Sequence, residues 1–106
     1  MSYHTHQKFS LPLNRTEVAE DWSRRGYTCD VFVDPPGREW NDFVHETNEL
    51  VTVLDGTLKL TIQDLELIDL PGDEIFIPKG VSHSVKNIAD ITTRWLYGYD
   101  EGSVQS

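Results

Sequence analysis

Residues 43–56 read FVHETNELVTVLDG, which is the end of one strand, a short corner and a second strand that together carry a histidine and an acid. His45 and Glu49 are four positions apart, and side chains at even spacing along an extended chain point to the same side of a sheet. If the corner between them is short, an imidazole and a carboxylate converge on one point.

A second segment supplies another histidine just after a turn. Residues 72–87 read GDEIFIPKGVSHSVKN, and His83 follows the Pro and Gly of that turn. Two histidines and one carboxylate form a minimal set of ligands for a divalent transition metal. The sequence therefore predicts a metal site made by His45, Glu49 and His83.

The first segment resembles the first motif of the cupin superfamily, which reads Gly, five residues, His-x-His, three or four residues, Glu, six residues, Gly. The match starts at Gly37, places His45 and Glu49 at the second His and the Glu, and ends at Gly56. Phe43 occupies the position of the first motif histidine, so the frame is kept while one ligand is missing.

The second segment is similar to the second cupin motif, which reads Gly, five residues, Pro-x-Gly, two residues, His, three residues, Asn. It matches without a gap at Gly72, Pro78, Gly80, His83 and Asn87. The resemblance covers residues 37–87. It implies an all-β fold, the double-stranded β-helix or jelly-roll barrel of cupins, with the metal near one mouth and His45, Glu49 and His83 as ligands.

Local patterns outside the motifs favour the same fold class. Short strands separated by Gly and Pro turns are typical of a barrel or jelly roll. Asn14 and Glu17 have capping-box spacing, and Gly26 follows two arginines, so residues 14–26 are predicted to form the one short helix. We interpret that helix as closing one edge of the barrel, with a lid over its mouth as the alternative.

Two further local predictions concern turns and the N-terminus. The Asp55-Gly56 turn predicts that strands 49–53 and 57–62 pair as a hairpin. Residues 9–13 carry apolar side chains at strand spacing, which indicates either an added strand or a frayed arm. His4 and His6 form a separate His-x-His pair, but chain termini are usually poorly ordered, so we do not assign them as metal ligands.

Length and composition bound the organisation of the chain. The 106 residues are predicted to form a single domain, residues 1–106. Within it we expect a barrel over about residues 27–99, an N-terminal strand and helix over 9–26, and a loose tail over 100–106.

The charge and the single cysteine restrict partners and location. A net charge of −9 argues against nucleic acid and anionic membrane surfaces as partners. Cys29 has no second cysteine with which to form a disulfide. No apolar signal run opens the chain and no segment approaches the roughly 20 apolar residues of a membrane helix, so we expect a cytoplasmic protein.

The predicted substrate pocket follows from strand periodicity. Asn41 and Phe43 share a face with His45, and Trp95 and Tyr97 lie at strand spacing near the C-terminus. Cys29 is included because the sequence does not decide which face of its strand points inward. Phe43 has two interpretations: it leaves coordination positions open beside an apolar wall, or it fills the space of a lost ligand in a metal-free barrel.

Two classes of function remain open at this point. One is a small-molecule metalloenzyme, an Fe(II)-type dioxygenase or an isomerase or lyase, using one divalent ion: Fe(II), or Mn, Ni or Zn. The other is a non-catalytic cupin that binds or senses a small ligand or a metal. Apolar residues on both faces of the strands, such as Leu50, Leu54 and Phe76, together with the habit of small cupins, lead us to expect a homodimer.

Overall fold

The computed structural model of this chain describes residues 3–100, which form one helix and nine strands. The helix α1 spans Arg15–Arg24. The strands are β1 His4–Thr5, β2 Asp30–Asp34, β3 Glu39–Phe43, β4 Glu49–Asp55, β5 Leu58–Ile62, β6 Leu65–Asp69, β7 Glu74–Ile77, β8 His83–Asn87 and β9 Thr93–Tyr99.

The strands are arranged in two antiparallel sheets, so the expected all-β jelly-roll fold with one short helix is confirmed. One sheet has five strands in the order β1-β7-β4-β9-β2, and the other has four in the order β3-β8-β5-β6. Strands that follow one another along the chain often lie in different sheets. This crossing brings the two halves of the chain together around a common interior.

The main core is a set of apolar side chains contributed by both sheets. On β5 the alternation is regular: Leu58, Leu60 and Ile62 are buried while Lys59 and Thr61 are partly exposed. That pattern is what a strand with one face on a core requires. The cluster comprises Val51, Val53, Leu58, Leu60, Ile62, Ile75, Ile77, Val85 and Trp95.

The helix packs on a second, smaller apolar cluster. Asn14 caps α1 as predicted, since its side chain accepts a hydrogen bond of 3.1 Å from the Glu17 backbone N–H. Val18 and Trp22 are fully buried against a cluster that includes Leu50 and Leu96. No helix in residues 3–100 is long and apolar enough to cross a membrane.

The position of α1 changes two interpretations made from the sequence. The helix covers a face of the five-stranded sheet and contributes no residue to the lining of the barrel cavity, so the lid interpretation is wrong. Leu50 is buried in the same cluster, and the half-buried Leu54 and Phe76 pack against it, so all three side chains contact apolar residues of their own chain. The homodimer therefore remains a prediction, but these three residues no longer support it.

The predicted hairpin between β4 and β5 is wrong. β4 pairs with β7 and β9, whereas β5 pairs with β6 and β8 in the other sheet. β4 is buried on both faces over its first five residues, which suits the centre of a sheet. The turn crosses between sheets instead, and Gly56 makes this possible because a Cβ there would collide with Thr93.

The N-terminal strand lies earlier than predicted. β1 pairs with β7 through His4 and Ile75, while residues 9–13 form no strand. Pro12 lacks the N–H that a ladder needs, and Phe9 is instead buried with its N–H donated to the Gly72 carbonyl at 3.0 Å. In the predicted tail, Asp100 is described and residues 101–106 lie outside the described part of the chain.

Candidate metal centre

Three ligand-type side chains meet inside the barrel. His45 lies in the loop between β3 and β4, Glu49 begins β4, and His83 begins β8. The Glu49 Oε1 atom is 3.5 Å from His45 Nε2 and 3.6 Å from His83 Nε2. Ligand atoms of the three residues all lie within 4.8 Å of one another. The structure thus brings together the three predicted ligands.

One carboxylate oxygen of Glu49 lacks a hydrogen-bond partner within residues 3–100. Its Oε1 atom is buried and has no hydrogen-bond donor among the described residues. Burial raises the pKa of this carboxyl to about 8. A buried carboxylate is costly unless a positive charge or donors compensate it, so a cation between Glu49 and the two imidazoles fits this site.

The two imidazoles have the protonation state that ligation needs. Burial lowers the pKa of His45, and burial and the nearby His45 lower that of His83 in spite of its contact with Val81. The Val81 carbonyl lies 3.3 Å from His83 Nδ1. Because a carbonyl only accepts, this contact keeps the proton on Nδ1 and presents the Nε2 lone pair to Glu49.

The loop that carries His45 is fastened by a residue that sequence reasoning missed. The Asn48 Oδ1 atom accepts from the Lys79 N–H at 2.8 Å, and its Nδ2 donates to Asp100 at 2.8 Å. The His45 carbonyl accepts from the Gly80 N–H at 2.8 Å. These hydrogen bonds join the two motif turns. Asn48 therefore affects the metal centre by fixing the positions of its neighbours. Its polarity alone carried no signal of this.

The metal centre opens on a cavity of about 210 Å³ whose wall is mainly aromatic. Phe43 lies opposite His83 in the β3–β8 register, with ring centroids 6.2 Å apart. A chain of ring contacts continues from it through Trp40 and Phe32 to Trp95. The full lining is Phe32, Trp40, Phe43, His45, Glu49, His83, Val85, Trp95, Tyr97 and Tyr99.

A buried acid holds two of the aromatic walls in place. The Trp40 indole donates to Asp34 Oδ1 at 3.0 Å, and the Trp95 indole donates to Oδ2 at 2.8 Å. Arg38 lies 3.7 Å from the same carboxylate and 4.2 Å from the Trp40 ring centroid. Both carboxylate oxygens are therefore used, and the orientation of the two indoles depends on Asp34.

The predicted pocket residues divide into two groups. Phe43, Trp95 and Tyr97 line the cavity, whereas Asn41 and Cys29 do not. The β3–β8 register shifts between Trp40 and Phe43, so the strand loses its period of two there and Asn41 is exposed. Cys29 packs instead against the cluster under α1.

Sequence reasoning also left out four lining residues: Phe32, Trp40, Val85 and Tyr99. Tyr99 continues the period-two stripe of Trp95 and Tyr97, so that stripe was its available signal. Phe32 alternates with Val31 and Val33 on β2, and only the packing shows that its face is the inner one. Trp40 enters the cavity because of the irregularity in β3, which has no local signature in the sequence.

Antiparallel sheets closed around a cavity with two histidines and a carboxylate at its mouth define a metal-binding barrel of the cupin class. The family model described as Cupin domain matches residues 30–99. This chain belongs to the cupin family. Among proteins with curated descriptions, none matches the chain.

Solved structures with the same fold support this assignment. AerE from Microcystis aeruginosa is 18% identical, with 69% of this chain and 35% of that chain covered and a TM-score of 0.65. The Cnp3 cupin domain from Schizosaccharomyces pombe is 18% identical, with 76% and 59% covered and a TM-score of 0.67. An oxalate oxidase in complex with the substrate analogue glycolate is 19% identical, with 72% and 42% covered and a TM-score of 0.64. This chain spans less than two thirds of each of these proteins, and the likeness shows the fold.

Proposed function

We propose that this cupin is a small-molecule metalloenzyme of the dioxygenase type, with Fe(II) held by His45, Glu49 and His83. The observation that carries the proposal is the buried Glu49 Oε1 atom, which has no donor and faces two imidazole nitrogens at 3.5 and 3.6 Å. Two histidines and one carboxylate are the ligand set of non-haem Fe(II) oxygenases, and the bound ion supplies activation of O₂.

Phe43 supports the interpretation of an open site. Its ring lies 6.1 Å from the His45 ring and 6.2 Å from the His83 ring, at the position where the family pattern has a further histidine. A phenyl group donates no lone pair, so this side of the centre is left free of protein ligands. Catalytic metal sites differ from structural ones in keeping such positions available.

The cavity indicates the class of substrate. Its volume of about 210 Å³ exceeds the roughly 150 Å³ of a cavity that holds benzene. No lysine or arginine lines it, and six of its ten lining residues are Phe, Trp or Tyr. We therefore propose a planar, mostly apolar molecule about the size of one substituted ring, which the aromatic walls would orient and shield from water.

The same lining residues also bear on isomerase and lyase chemistry, the other reactions that the sequence leaves open. Apart from the three predicted ligands, the titratable side chains that line the cavity are Tyr97 and Tyr99. Isomerases and lyases commonly need a separate group that moves a proton, most often a histidine or a carboxylate, and beyond the three predicted ligands no such group lines the cavity in the part of the chain that the structure describes. This favours oxygenase chemistry. Mn, Ni or Zn are the ions that would suit isomerase or lyase chemistry.

The test uses tag-free protein stripped with a chelator and reloaded with each metal in turn. We expect Fe(II) to bind at the barrel site and oxygen uptake to begin with a small phenol or aromatic acid. Glu49→Gln should remove both, while Glu46→Gln, an exposed acid of the same loop, should retain both. If the wild-type barrel site binds none of Fe(II), Mn(II), Ni(II) and Zn(II), the enzyme proposal fails. Metal or ligand binding without turnover would instead indicate the non-catalytic sensor.

The homodimer remains a prediction of its own. Val31 and Val33 are exposed on β2, which lies at the edge of the five-stranded sheet. Light scattering over a range of concentrations measures the oligomeric state. A mass of one chain throughout would contradict the homodimer.

A further inference from the structure

The N-terminal strand carries two histidines to a buried acid far away in the sequence. His4 Nε2 lies 2.9 Å from Asp73 Oδ2, and His6 Nδ1 lies 3.6 Å from the same oxygen. The two imidazole centroids are 3.9 Å apart. The ligand atoms of all three residues lie within 4.8 Å of one another. This second cluster is separate from the barrel cavity, whose lining includes none of its members.

The spacing of these atoms matches that of a metal site. Bond lengths of about 2.0–2.1 Å in a tetrahedron place neighbouring ligand atoms about 3.3 Å apart. The two distances to Asp73, 2.9 and 3.6 Å, lie on either side of that value. A simple His–Asp pair would need one imidazole, whereas here two imidazoles turn toward a single oxygen.

Two further acidic side chains near Asp73 in the sequence are buried. Asp69, Asp73 and Glu74 are all buried, and Arg25 is bound to Glu74. Neither carboxylate oxygen of Asp69 has a hydrogen-bond partner among the described residues. Asp69 lies close enough to Asp73 and Glu74 for their charges to act on it. A cation bound at Asp73 would offset the negative charge that these buried acids carry when they are ionised, which gives a second reason for placing one here.

We propose that His4, His6 and Asp73 form a second metal site for Zn²⁺ or a cation of similar ligand preference, such as Cu²⁺ or Ni²⁺. The side chain of His6 is 76% exposed, so the site opens to solvent and leaves room for water as a fourth ligand. This site is independent of the proposed activity at His45, Glu49 and His83.

The site would act as a clip between the N-terminal segment and the edge of the five-stranded sheet. The segment is otherwise held by hydrogen bonds from Phe76 N–H to Tyr3 at 2.7 Å, Gln7 N–H to Asp73 at 2.9 Å and Phe9 N–H to Gly72 at 3.0 Å. Opening the segment would separate two ligands from the third. Bound Zn²⁺ therefore opposes that opening by mass action.

The first experiment counts Zn²⁺ ions per chain by calorimetry on tag-free protein. The variant His45→Ala/His83→Ala lacks the barrel site and should bind one ion, and addition of His6→Ala should abolish that binding. Thr5→Ala, which changes an exposed neighbour that offers no imidazole, should retain it. Absence of Zn²⁺ binding in the folded double variant, or binding that His6→Ala does not change, would overturn the proposal.

A second experiment needs no change to the barrel. In wild-type protein, hydrogen exchange is measured at the Phe76, Gln7 and Phe9 amides with and without Zn²⁺. At a free concentration one hundred times the dissociation constant, exchange through opening of the segment should slow by about 100-fold. His6→Ala should lose this protection. Equal rates with and without Zn²⁺ in the wild type would contradict the clip.

Discussion

Glu49 and Asp73 are both buried carboxylates that face two histidines, yet their chemistry differs. Burial raises the pKa of Glu49 to about 8, and its Oε1 atom has no donor among the described residues. Burial acts in the same direction on Asp73, but donors at Gln7 N–H, His4 and Leu70 N–H outweigh it, and the Asp73 pKa is lowered. Solvent exposure is similarly low at the two acids, but Glu49 lies deeper in the protein than Asp73, so depth of burial is one difference between the two sites.

A second difference lies in what replaces the lost water. Asp73 has exchanged water for hydrogen bonds, so its negative charge is stable before any ion arrives. The Glu49 Oε1 atom faces two imidazoles and has no donor among the described residues, so the negative charge of this side chain is stable once a cation binds. We expect the stability of the barrel centre to depend strongly on bound metal. The N-terminal cluster should gain less stability from metal binding.

The largest effect is expected from removing the Glu49 charge. Glu49→Gln keeps the shape of the side chain but removes its negative charge. The affinity of the barrel site for divalent metal should therefore fall by more than about 100-fold, which exceeds the usual loss when only a hydrogen-bond partner of a metal ligand is changed. Competition with a chelator in the His6→Ala background measures this site alone. Unchanged affinity would remove Glu49 from the ligand set.

The pH dependence of stability should differ in sign between the two acids. In metal-free protein the raised pKa of Glu49 favours its protonated form, so its contribution is present below about pH 4.5 and is lost as the pH rises through about 8. Wild type should then lose stability relative to Glu49→Gln across that window by more than about 1.4 kcal/mol, the equivalent of one pKa unit.

Urea unfolding of both metal-free proteins at a series of pH values measures this difference. The lowered pKa of Asp73 predicts the opposite behaviour, a contribution that is present at neutral pH and lost as the pH falls below its ordinary value of 3.8. Parallel curves for wild type and Glu49→Gln would contradict the account of Glu49.

Asp34 extends the comparison to a buried acid that accepts hydrogen bonds from two indole N–H groups. Asp34→Asn leaves one acceptor and brings an amide donor against an indole N–H, so the free energy of unfolding should fall by about 1–3 kcal/mol. Asp90→Asn, at an exposed position, should change it by less than about 0.5 kcal/mol. Chemical denaturation measures both. Equal stabilities of the two variants would show that the free energy of unfolding does not depend on the hydrogen bonds of Asp34.

A fourth ligand at residue 43 should strengthen the barrel site. Phe43→His places an imidazole beside His45 and His83, and metal affinity should rise by about 10- to 100-fold, the scale of single-contact effects at metal sites. Turnover should fall because the new ligand occupies an open position. Chelator competition and oxygen uptake measure the two effects. Unchanged affinity in this variant would indicate a decayed site.

The smallest effect is expected from His6→Ala without metal. Because this imidazole is exposed and Asp73 keeps its other donors, the free energy of unfolding should change by less than about 0.5 kcal/mol in the presence of a chelator. A larger loss would mean that His6 stabilises the fold directly, and the contrast with Glu49 would then weaken.

The sequence by itself determined the features that depend on neighbours along the chain. The resemblance of the segments that carry His45, Glu49 and His83 to two cupin motifs predicted the ligands and the barrel. The capping-box spacing of Asn14 and Glu17 predicted where the helix begins. Turn chemistry, capping and the period of two are local properties, so they can be recognised in a single sequence.

Only the tertiary structure decided which strands pair and which faces turn inward. The turn at Gly56 passes between sheets because β4 is buried on both faces, and the irregularity in β3 turns Trp40 inward and leaves Asn41 exposed. His4 reaches Asp73 across 69 positions of sequence. Such contacts depend on which distant apolar surfaces cover one another, and the residues flanking each partner do not encode that choice.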